Sequence, residues 1–220
     1  MAYNNYGNSL QRQSPVVFNL IIINVLVFLI QKFFDGPHQV ISEKLAIHHY
    51  TSQAFEPYQI VTNMFAHGNI PHIFFNMYTL YIFGVWLERV WGSKRFLIFY
   101  LICGVAAGLT QMMFLKDVIA FDPESGTNVL EIGSALGASG AIMGLLAAFA
   151  YLFPNTELML LFIPIPIKAK YMVAIYAAID LFGGISGSAD NVAHYAHLGG
   201  LVMGFILVMI WNKTNKKTFY

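Results

Sequence analysis

The chain has 220 residues, of which 57% are hydrophobic and only 10% are charged. Soluble globular domains are about a quarter charged, so this composition excludes an ordinary soluble domain and indicates a membrane protein. The formal net charge is +1 and the basic residues are scattered, which excludes the dense basic surface of a nucleic-acid-binding protein.

Apolar runs divide the chain into candidate membrane spans, because about twenty apolar residues cross the roughly 30 Å of hydrocarbon in a bilayer. A short polar tail, residues 1–15, precedes one membrane domain, residues 16–211, and a basic tail, residues 212–220, follows it. The domain contains six predicted spans, at residues 16–34, 68–87, 96–115, 136–153, 169–186 and 192–211. The sequence therefore predicts an all-α membrane protein with six transmembrane helices.

The longest connection, residues 35–67, lies between the first two predicted spans. It is too long for a plain connector and carries aromatic and charged side chains, so we expect short amphipathic helices at the membrane interface. Lys and Arg residues in the loops set the orientation of the spans, and nine of the 12 lie on the side that holds both termini. We therefore expect both termini in the cytoplasm and residues 35–67 on the outer side.

A few polar residues lie within the predicted spans, where each costs free energy unless it has a partner or a task. His72 and Asn76 lie in the second span, Ser139 opens the fourth, and His197 lies near the outer end of the sixth. These three spans run in the same direction, so the predicted topology places all four side chains in the outer half of the bilayer.

Small residues predict that the fourth and sixth spans pack closely. Gly140 follows Ser139, and Gly200 lies about one helical turn after His197. Glycines on facing helices let transmembrane backbones approach each other. Close approach of these two spans would bring the Ser139 hydroxyl to the His197 ring.

These residue types fit nucleophilic catalysis. A serine hydroxyl becomes a good nucleophile when a base such as histidine accepts its proton, so Ser139 and His197 are the candidate catalytic pair. The candidate oxyanion donors are the Ser139 backbone N–H, the Asn76 amide and the His72 ring. Gly137 and Gly140, on either side of the serine, let the loop turn tightly and the substrate backbone come near. No acidic residue is assigned to orient His197, so the prediction is a dyad.

Other polar residues receive structural interpretations. A second GxSG string, residues 184–187, precedes a polar turn and not an apolar helix, so Ser186 is interpreted as a loop residue. Asp180 is interpreted as a hydrogen-bonded structural residue, and His194 as a water-facing residue near the surface. A transporter that uses Asp180 would call for inverted repeats and broken helices, and we find neither in the sequence.

The sequence resembles the rhomboid family from about His67 to Gly204. Four motifs in order carry the resemblance: His67-Gly68-Asn69-Ile70-Pro71-His72 with Asn76, then Gly84, Glu88 and Gly92, then Gly137-Ala138-Ser139-Gly140, then Ala196-His197-Leu198-Gly199-Gly200. It implies a six-helix rhomboid-like bundle with a large interfacial first external loop. It also implies a serine endopeptidase that acts within the bilayer, with no metal and no organic cofactor.

The resemblance further implies transmembrane substrate proteins that carry small residues and helix-destabilising sequence near the outer face. Under it, Glu88 has a structural task, and we expect His67, Gly137, Gly140 and Gly200 to support the site. We also expect a multi-pass protein of a cell membrane, of prokaryotic origin. The sequence departs from the family at Tyr58-Gln59, where many members have Trp-Arg, and at Met143, where many have an aromatic residue.

Two alternatives stay open beside this reading. A non-cleaving rhomboid-like protein would bind transmembrane clients, but such proteins typically lack the serine or the histidine, and both are present here. A metalloprotease would have to use His67, His72, His194 and His197, but the chain lacks the HExxH motif.

Overall fold

The computed structural model describes residues 14–36, 39–122, 127–160, 163–186 and 192–214. The remaining parts of the two predicted tails, residues 1–13 and 215–220, lie outside the described residues. Residues 187–191, which include the polar turn predicted after the second GxSG string, lie outside them as well. Six apolar helices dominate the described chain: α1 Pro15–Phe34, α2 Ile70–Trp91, α3 Ser93–Phe114, α4 Ser139–Leu152, α5 Ala169–Ser186 and α6 His194–Thr214.

Five of these helices are long and apolar enough to cross a membrane, and α4 is the exception among the described residues. Its 14 residues are about 21 Å long at about 1.5 Å per residue, shorter than the hydrocarbon core. The predicted helical membrane bundle is thus confirmed with five candidate spans, whereas the fourth predicted span is a shorter helix.

The short helix α4 lies at the centre of the bundle. It contacts α2, α3, α5 and α6, and its residues from Gly140 to Phe149 are all buried. Because α4 is covered by protein on its sides, it needs neither the length nor the lipid-facing surface of a membrane span. Ser139, at its first turn, is therefore placed inside the bundle.

Glycines set the distance between α4 and α6. A Cβ atom on Gly200 would collide with the Gly140 carbonyl oxygen, and one on Gly204 would lie 2.5 Å from the Gly144 carbonyl oxygen. The two backbones are therefore in direct contact, as Gly140 and Gly200 predict.

The segment from residue 35 to residue 67 contains two short helices, Val40–Leu45 and Gln59–Thr62, and a 3-10 turn, Asn63–Phe65. It also contains the strand β1, Ile47–His48, which pairs antiparallel with β4, Ser134–Ala135. This pairing joins the long connection to the chain that leads into α4. The predicted short helices are present, and their place at the interface stays a prediction.

Two hairpins occupy connections for which the sequence predicted no secondary structure. Strands β2 Val118–Asp122 and β3 Thr127–Glu131 pair after α3, and β5 Glu157–Leu160 and β6 Ile163–Lys168 pair after α4. In β6, isoleucine recurs at every second residue, a pattern that favours a strand.

Glu88 ties the start of α1 to the end of α2. Its Oε1 accepts the Val16 N–H at 3.0 Å and its Oε2 accepts the Val17 N–H at 2.9 Å. The Ser93 hydroxyl donates to Oε1 at 2.6 Å. The carboxylate thus satisfies backbone N–H groups of the first helical turn, which have no partner within the helix. The predicted structural task of Glu88 is confirmed.

Candidate functional site

Ser139 and His197 meet inside the bundle. Ser139 begins α4, His197 lies in the first turn of α6, and the distance from Ser139 Oγ to His197 Nε2 is 2.8 Å. This distance is that of a hydrogen bond, and it joins residues 58 positions apart in the chain. The contact predicted from Gly140 and Gly200 is present.

Asp180 of α5 is the partner of His197 on its other side. Its Oδ1 lies 2.9 Å from His197 Nδ1 and 2.8 Å from His194 Nδ1. The expectation that no carboxylate orients His197 is therefore wrong. The expectation that His194 faces water is also wrong, because its exposed fraction is 6% and Asp180 binds it inside the bundle.

Gly137 shapes the chain just before the serine. Its φ of +136° lies in the region that favours glycine, and a Cβ atom there would lie 2.7 Å from His72 Nε2. The Gly137 N–H donates to the Asn63 carbonyl at 2.8 Å, which fixes the turn. The chain leading to Ser139 therefore lies directly against the His72 ring.

Asn76 lies one helical turn after His72 in α2 and is buried. Within the described residues, its Nδ2 is a buried donor without a hydrogen-bond partner. Leaving such a donor unpaired costs about 1–3 kcal/mol, so its presence calls for an explanation. Asn76 lines the same cavity as Ser139 and His197, so this donor belongs to the site.

His67, which precedes α2 in the chain, supports the turn at Gly137 that leads to Ser139. It is 1% exposed, and its Nε2 lies 3.5 Å from the Ala138 N–H that donates to it. Its ring packs edge-on against His72, with the ring centres 5.1 Å apart. Burial, and next the neighbouring His72, lower the pKa of His67 to about 3. A neutral His67 thus accepts the hydrogen bond beside Ser139.

Two cavities meet at Ser139 and His197. The first, of about 360 Å³, is mostly apolar and extends between α2 and α5. Its wall includes Thr79, Phe83, Met143, Met172, Tyr176 and Asp180. The second, of about 730 Å³, is more polar, and its wall includes His72, Gln111, Ser134 and Val192. The pair thus lies between an apolar slot and a polar space.

Ser186 is the last residue of α5, and not a loop residue as the sequence suggested. It is exposed, and its hydroxyl donates to the Gly183 carbonyl at 3.2 Å. That bond is of the local kind that serine makes at helix ends.

The contact of Asp180 with His194 and His197 was not predicted from the sequence, although the sequence contains a signal for it. His194 and His197 are three residues apart and share a face of α6, so one carboxylate can reach both rings. Gly183, one turn after Asp180, leaves room for the His194 ring, since a Cβ atom there would collide with it.

The bundle and its buried polar cluster define a polytopic membrane protein with a polar site between its helices. The chain belongs to the rhomboid family: the family model of the Rhomboid domain matches residues 54–213. The resemblance read from the sequence motifs is thereby confirmed.

Three relatives illustrate the range of the family. The chain is 31% identical to Rhomboid-like protein 11, chloroplastic, of Arabidopsis thaliana, over 92% of this chain and 68% of the relative. It is 26% identical to Rhomboid protease AarA of Providencia stuartii, over 87% and 70%. It is 28% identical to the mitochondrial presenilin-associated rhomboid-like protein of Homo sapiens, over 94% and 52%.

The chain spans about half the length of several of the curated relatives it matches, including two from the mitochondria of yeast and Arabidopsis thaliana at 51% and 52%. Many of the relatives are named as mitochondrial or chloroplastic, so the expectation of a prokaryotic origin has no support from these names.

Proposed function

We propose that this chain is an intramembrane serine endopeptidase that cleaves transmembrane substrate proteins near the outer face of the bilayer. The observation that carries the proposal is the 2.8 Å contact between Ser139 Oγ and His197 Nε2 within a bundle of apolar helices. Membership of a family that includes a rhomboid protease supports it.

In the proposed reaction, Ser139 Oγ attacks the carbonyl carbon of the scissile peptide while His197 Nε2 takes its proton. The histidine then gives that proton to the leaving amine, and the acyl group stays on Ser139. A water molecule repeats these steps to release the acyl product. His197 faces the hydroxyl at hydrogen-bond distance, which is the geometry that this proton transfer needs.

The oxyanion of the tetrahedral intermediate needs preorganised donors. We assign this task to the Asn76 amide, the His72 ring and the Ser139 backbone N–H. Asn76 Nδ2 is a buried donor in the cavity wall, and the first N–H groups of α4, which starts at Ser139, have no acceptor within the helix. Each donor of this kind contributes about 3–4 kcal/mol to the stability of the transition state.

The apolar slot between α2 and α5 suits a transmembrane segment that enters from the side. Its wall is mostly hydrophobic, so an apolar substrate side chain passes from lipid into another apolar environment. The substrate helix unwinds at the scissile peptide, because carbonyl groups within a helix are hydrogen-bonded and shielded. Small residues and helix-destabilising sequence there favour this unwinding.

The polar space beside the pair supplies the water for hydrolysis. It meets the apolar slot at Ser139 and His197, so the acyl enzyme is exposed to it. In the predicted topology, this space opens to the outer side and both termini are cytoplasmic. No metal and no organic cofactor takes part in the proposed reaction.

The decisive experiment uses purified protein reconstituted in liposomes with a transmembrane substrate whose helix carries small residues near its outer end. We expect cleavage by the wild type, none by Ser139→Ala or His197→Ala, and near wild-type cleavage by the control Ser186→Ala. Mass spectrometry after reaction with a fluorophosphonate should place the label on Ser139. Undiminished cleavage by Ser139→Ala would contradict the proposal.

The alternative, a non-cleaving rhomboid-like binder of transmembrane clients, is tested in the same experiment. A binder would retain the substrate in co-purification without cutting it, and the fluorophosphonate would leave Ser139 unlabelled. The short Ser139–His197 distance favours the protease, since a binder has no need of it.

A further inference from the structure

Asp180 holds two histidines with a single oxygen atom. Its Oδ1 accepts from Nδ1 of His194 at 2.8 Å and from Nδ1 of His197 at 2.9 Å. The side chains of Asp180 and His194 are each 7% exposed, and that of His197 is 18% exposed. A carboxylate buried among membrane helices is costly without partners, so this arrangement is unusual enough to indicate a task.

The hydrogen bonds fix where the ring protons lie. A carboxylate oxygen only accepts, so each of the two Nδ1 atoms must carry a hydrogen. Neutral His197 is then left with a bare Nε2, and this is the atom that faces the Ser139 hydroxyl at 2.8 Å. Asp180 thus selects the one neutral tautomer of His197 that can accept a proton from Ser139.

Packing holds His194 where it can bind Asp180. Its ring lies against Gly183, where a Cβ atom would collide with it. The next residue, Tyr195, donates from its hydroxyl to the Gly184 carbonyl at 2.8 Å, and its ring stacks on Phe114 at a centroid distance of 3.8 Å. The start of α6 is thereby held against α5 and α3, and the Asp180 carboxylate is bound from two sides.

We infer that Asp180 is a positioning residue for His197 and that His194 holds the Asp180 carboxylate in place. This inference rests on the proposed proteolysis and replaces the predicted dyad with a serine–histidine–aspartate triad. His194 is an additional member, because it binds the oxygen that orients the base.

The attack step transfers one proton from Ser139 to His197. The Ser139 Oγ–H bond breaks as the bond from Oγ to the substrate carbonyl carbon forms, and the proton passes to His197 Nε2. The carbonyl π electrons move to the oxygen. His197 then carries two N–H groups and a positive charge, which the Asp180 carboxylate at 2.9 Å stabilises. Asp180 itself neither gains nor loses a proton.

The first test is Asp180→Asn, which keeps the size of the side chain and removes its charge. In soluble serine proteases, the corresponding change lowers kcat by about 10⁴-fold, because the histidine adopts the wrong tautomer. We expect a loss of kcat of at least about 100-fold here, with KM within about twofold of wild type and an unchanged thermal unfolding temperature. A residue that serves only the structure would change the unfolding temperature and leave kcat nearly intact.

The second test compares two variants at His194, which touches no reacting atom. His194→Asn keeps an N–H donor near the position of Nδ1, whereas His194→Leu removes it. We expect His194→Leu to lose about tenfold or more in kcat, since misplacement by about 1 Å can cost about 100-fold. We expect His194→Asn to recover most of that loss. Equal kcat values for these two variants would overturn the role given to His194.

A third measurement reads the tautomer directly. Protein labelled with ¹⁵N-histidine in detergent micelles should show His197 with hydrogen on Nδ1, and Asp180→Asn should move hydrogen to Nε2. His197→Gln identifies the resonance. The spectrum of folded protein reports the tautomer independently of activity. It therefore still tests the inference if a variant loses activity through partial unfolding. An unchanged His197 spectrum in folded Asp180→Asn protein would overturn the inference.

Cleavage by the variants and labelling of Ser139 distinguish failure of this inference from failure of the proposed function. If Asp180→Asn cleaves at the wild-type rate while Ser139→Ala is inactive, the protease proposal stands and the role of Asp180 is refuted. If the wild type neither cleaves nor becomes labelled at Ser139, both fail together.

Discussion

Gly200 of α6 lies directly on the carbonyl oxygen of Gly140 of α4, with no room for a methyl group between them. Gly140 directly follows Ser139, and Gly200 lies about one helical turn after His197, so this contact sets the separation of the two helices that carry the pair. The geometry of the proposed catalytic pair therefore depends on two glycines that take no part in the chemistry.

Gly200→Ala should push α6 away from α4 and lengthen the Ser139–His197 distance. We expect a lower thermal unfolding temperature, because overpacking costs about 1–3 kcal/mol, and a loss of cleavage larger than the loss of stability explains. Differential scanning fluorimetry and cleavage in liposomes measure the two effects. The control is Val202→Ala, at a position on α6 that is 53% exposed, which should change neither. Wild-type cleavage by Gly200→Ala would show that the Gly140–Gly200 contact does not set the geometry of the Ser139–His197 pair.

Gly137→Ala should disturb the site at the His72 ring. The φ of +136° is unfavourable for alanine, and the new methyl group would lie 2.7 Å from His72 Nε2. We expect cleavage to fall by at least about tenfold. Displacement of the His72 ring would lose part of the roughly 100-fold to 1,000-fold that one oxyanion donor contributes. Gly68→Ala is the matched control, since its methyl group would lie 3.9 Å from His72, an ordinary contact. Equal activity of the two variants would show that the space beside His72 is not needed.

Asn76→Ala should lower kcat by about 100-fold to 1,000-fold with little change in KM, because the oxyanion exists only after the attack. The variant should also unfold at or above the wild-type temperature, since it removes a buried donor that is unpaired among the described residues. Asn24→Ala serves as the control, because Asn24 is also a buried asparagine of an apolar helix, donates to the Leu20 carbonyl at 2.7 Å and lines neither of the two cavities at Ser139. A parallel rise in KM would argue for a role in substrate binding instead.

Stability should fall as the pH falls, in part because of His67. Burial lowers the pKa of this residue from 6.5 to about 3, so between these values the unfolded chain binds a proton that the folded chain refuses. Stability therefore rises with pH in this window, by up to about 1.4 kcal/mol per pH unit for this one proton, and is no longer affected above pH 6.5. Unfolding temperatures in micelles at pH 7.5 and 5 measure the difference.

His67→Gln is the comparison for that measurement, because a Gln side chain can still accept the Ala138 N–H and does not titrate. The variant should lose less stability than the wild type between pH 7.5 and 5. An equal loss in the two proteins would assign the pH dependence to other groups.

The sequence alone determined the helices and one decisive contact. Runs of apolar residues located the helices to within a few residues, because a bilayer admits helices of a defined length and composition. The small residues beside Ser139 and His197 predicted that α4 and α6 touch, since close packing of transmembrane helices requires such residues. The resemblance to the rhomboid family implied a structural task for Glu88, and Glu88 binds the start of α1.

Only the tertiary structure decided which face of α5 turns toward α6, and with it the partner of His197. In a soluble helix, the polar face reveals the orientation, but in lipid both the buried and the exposed faces are apolar. On α5, the exposed residues Ile179 and Phe182 are as hydrophobic as the buried Val173. Hydrophobic periodicity therefore left the rotation of α5 open, and packing of the assembled helices brought Asp180 to the two histidines.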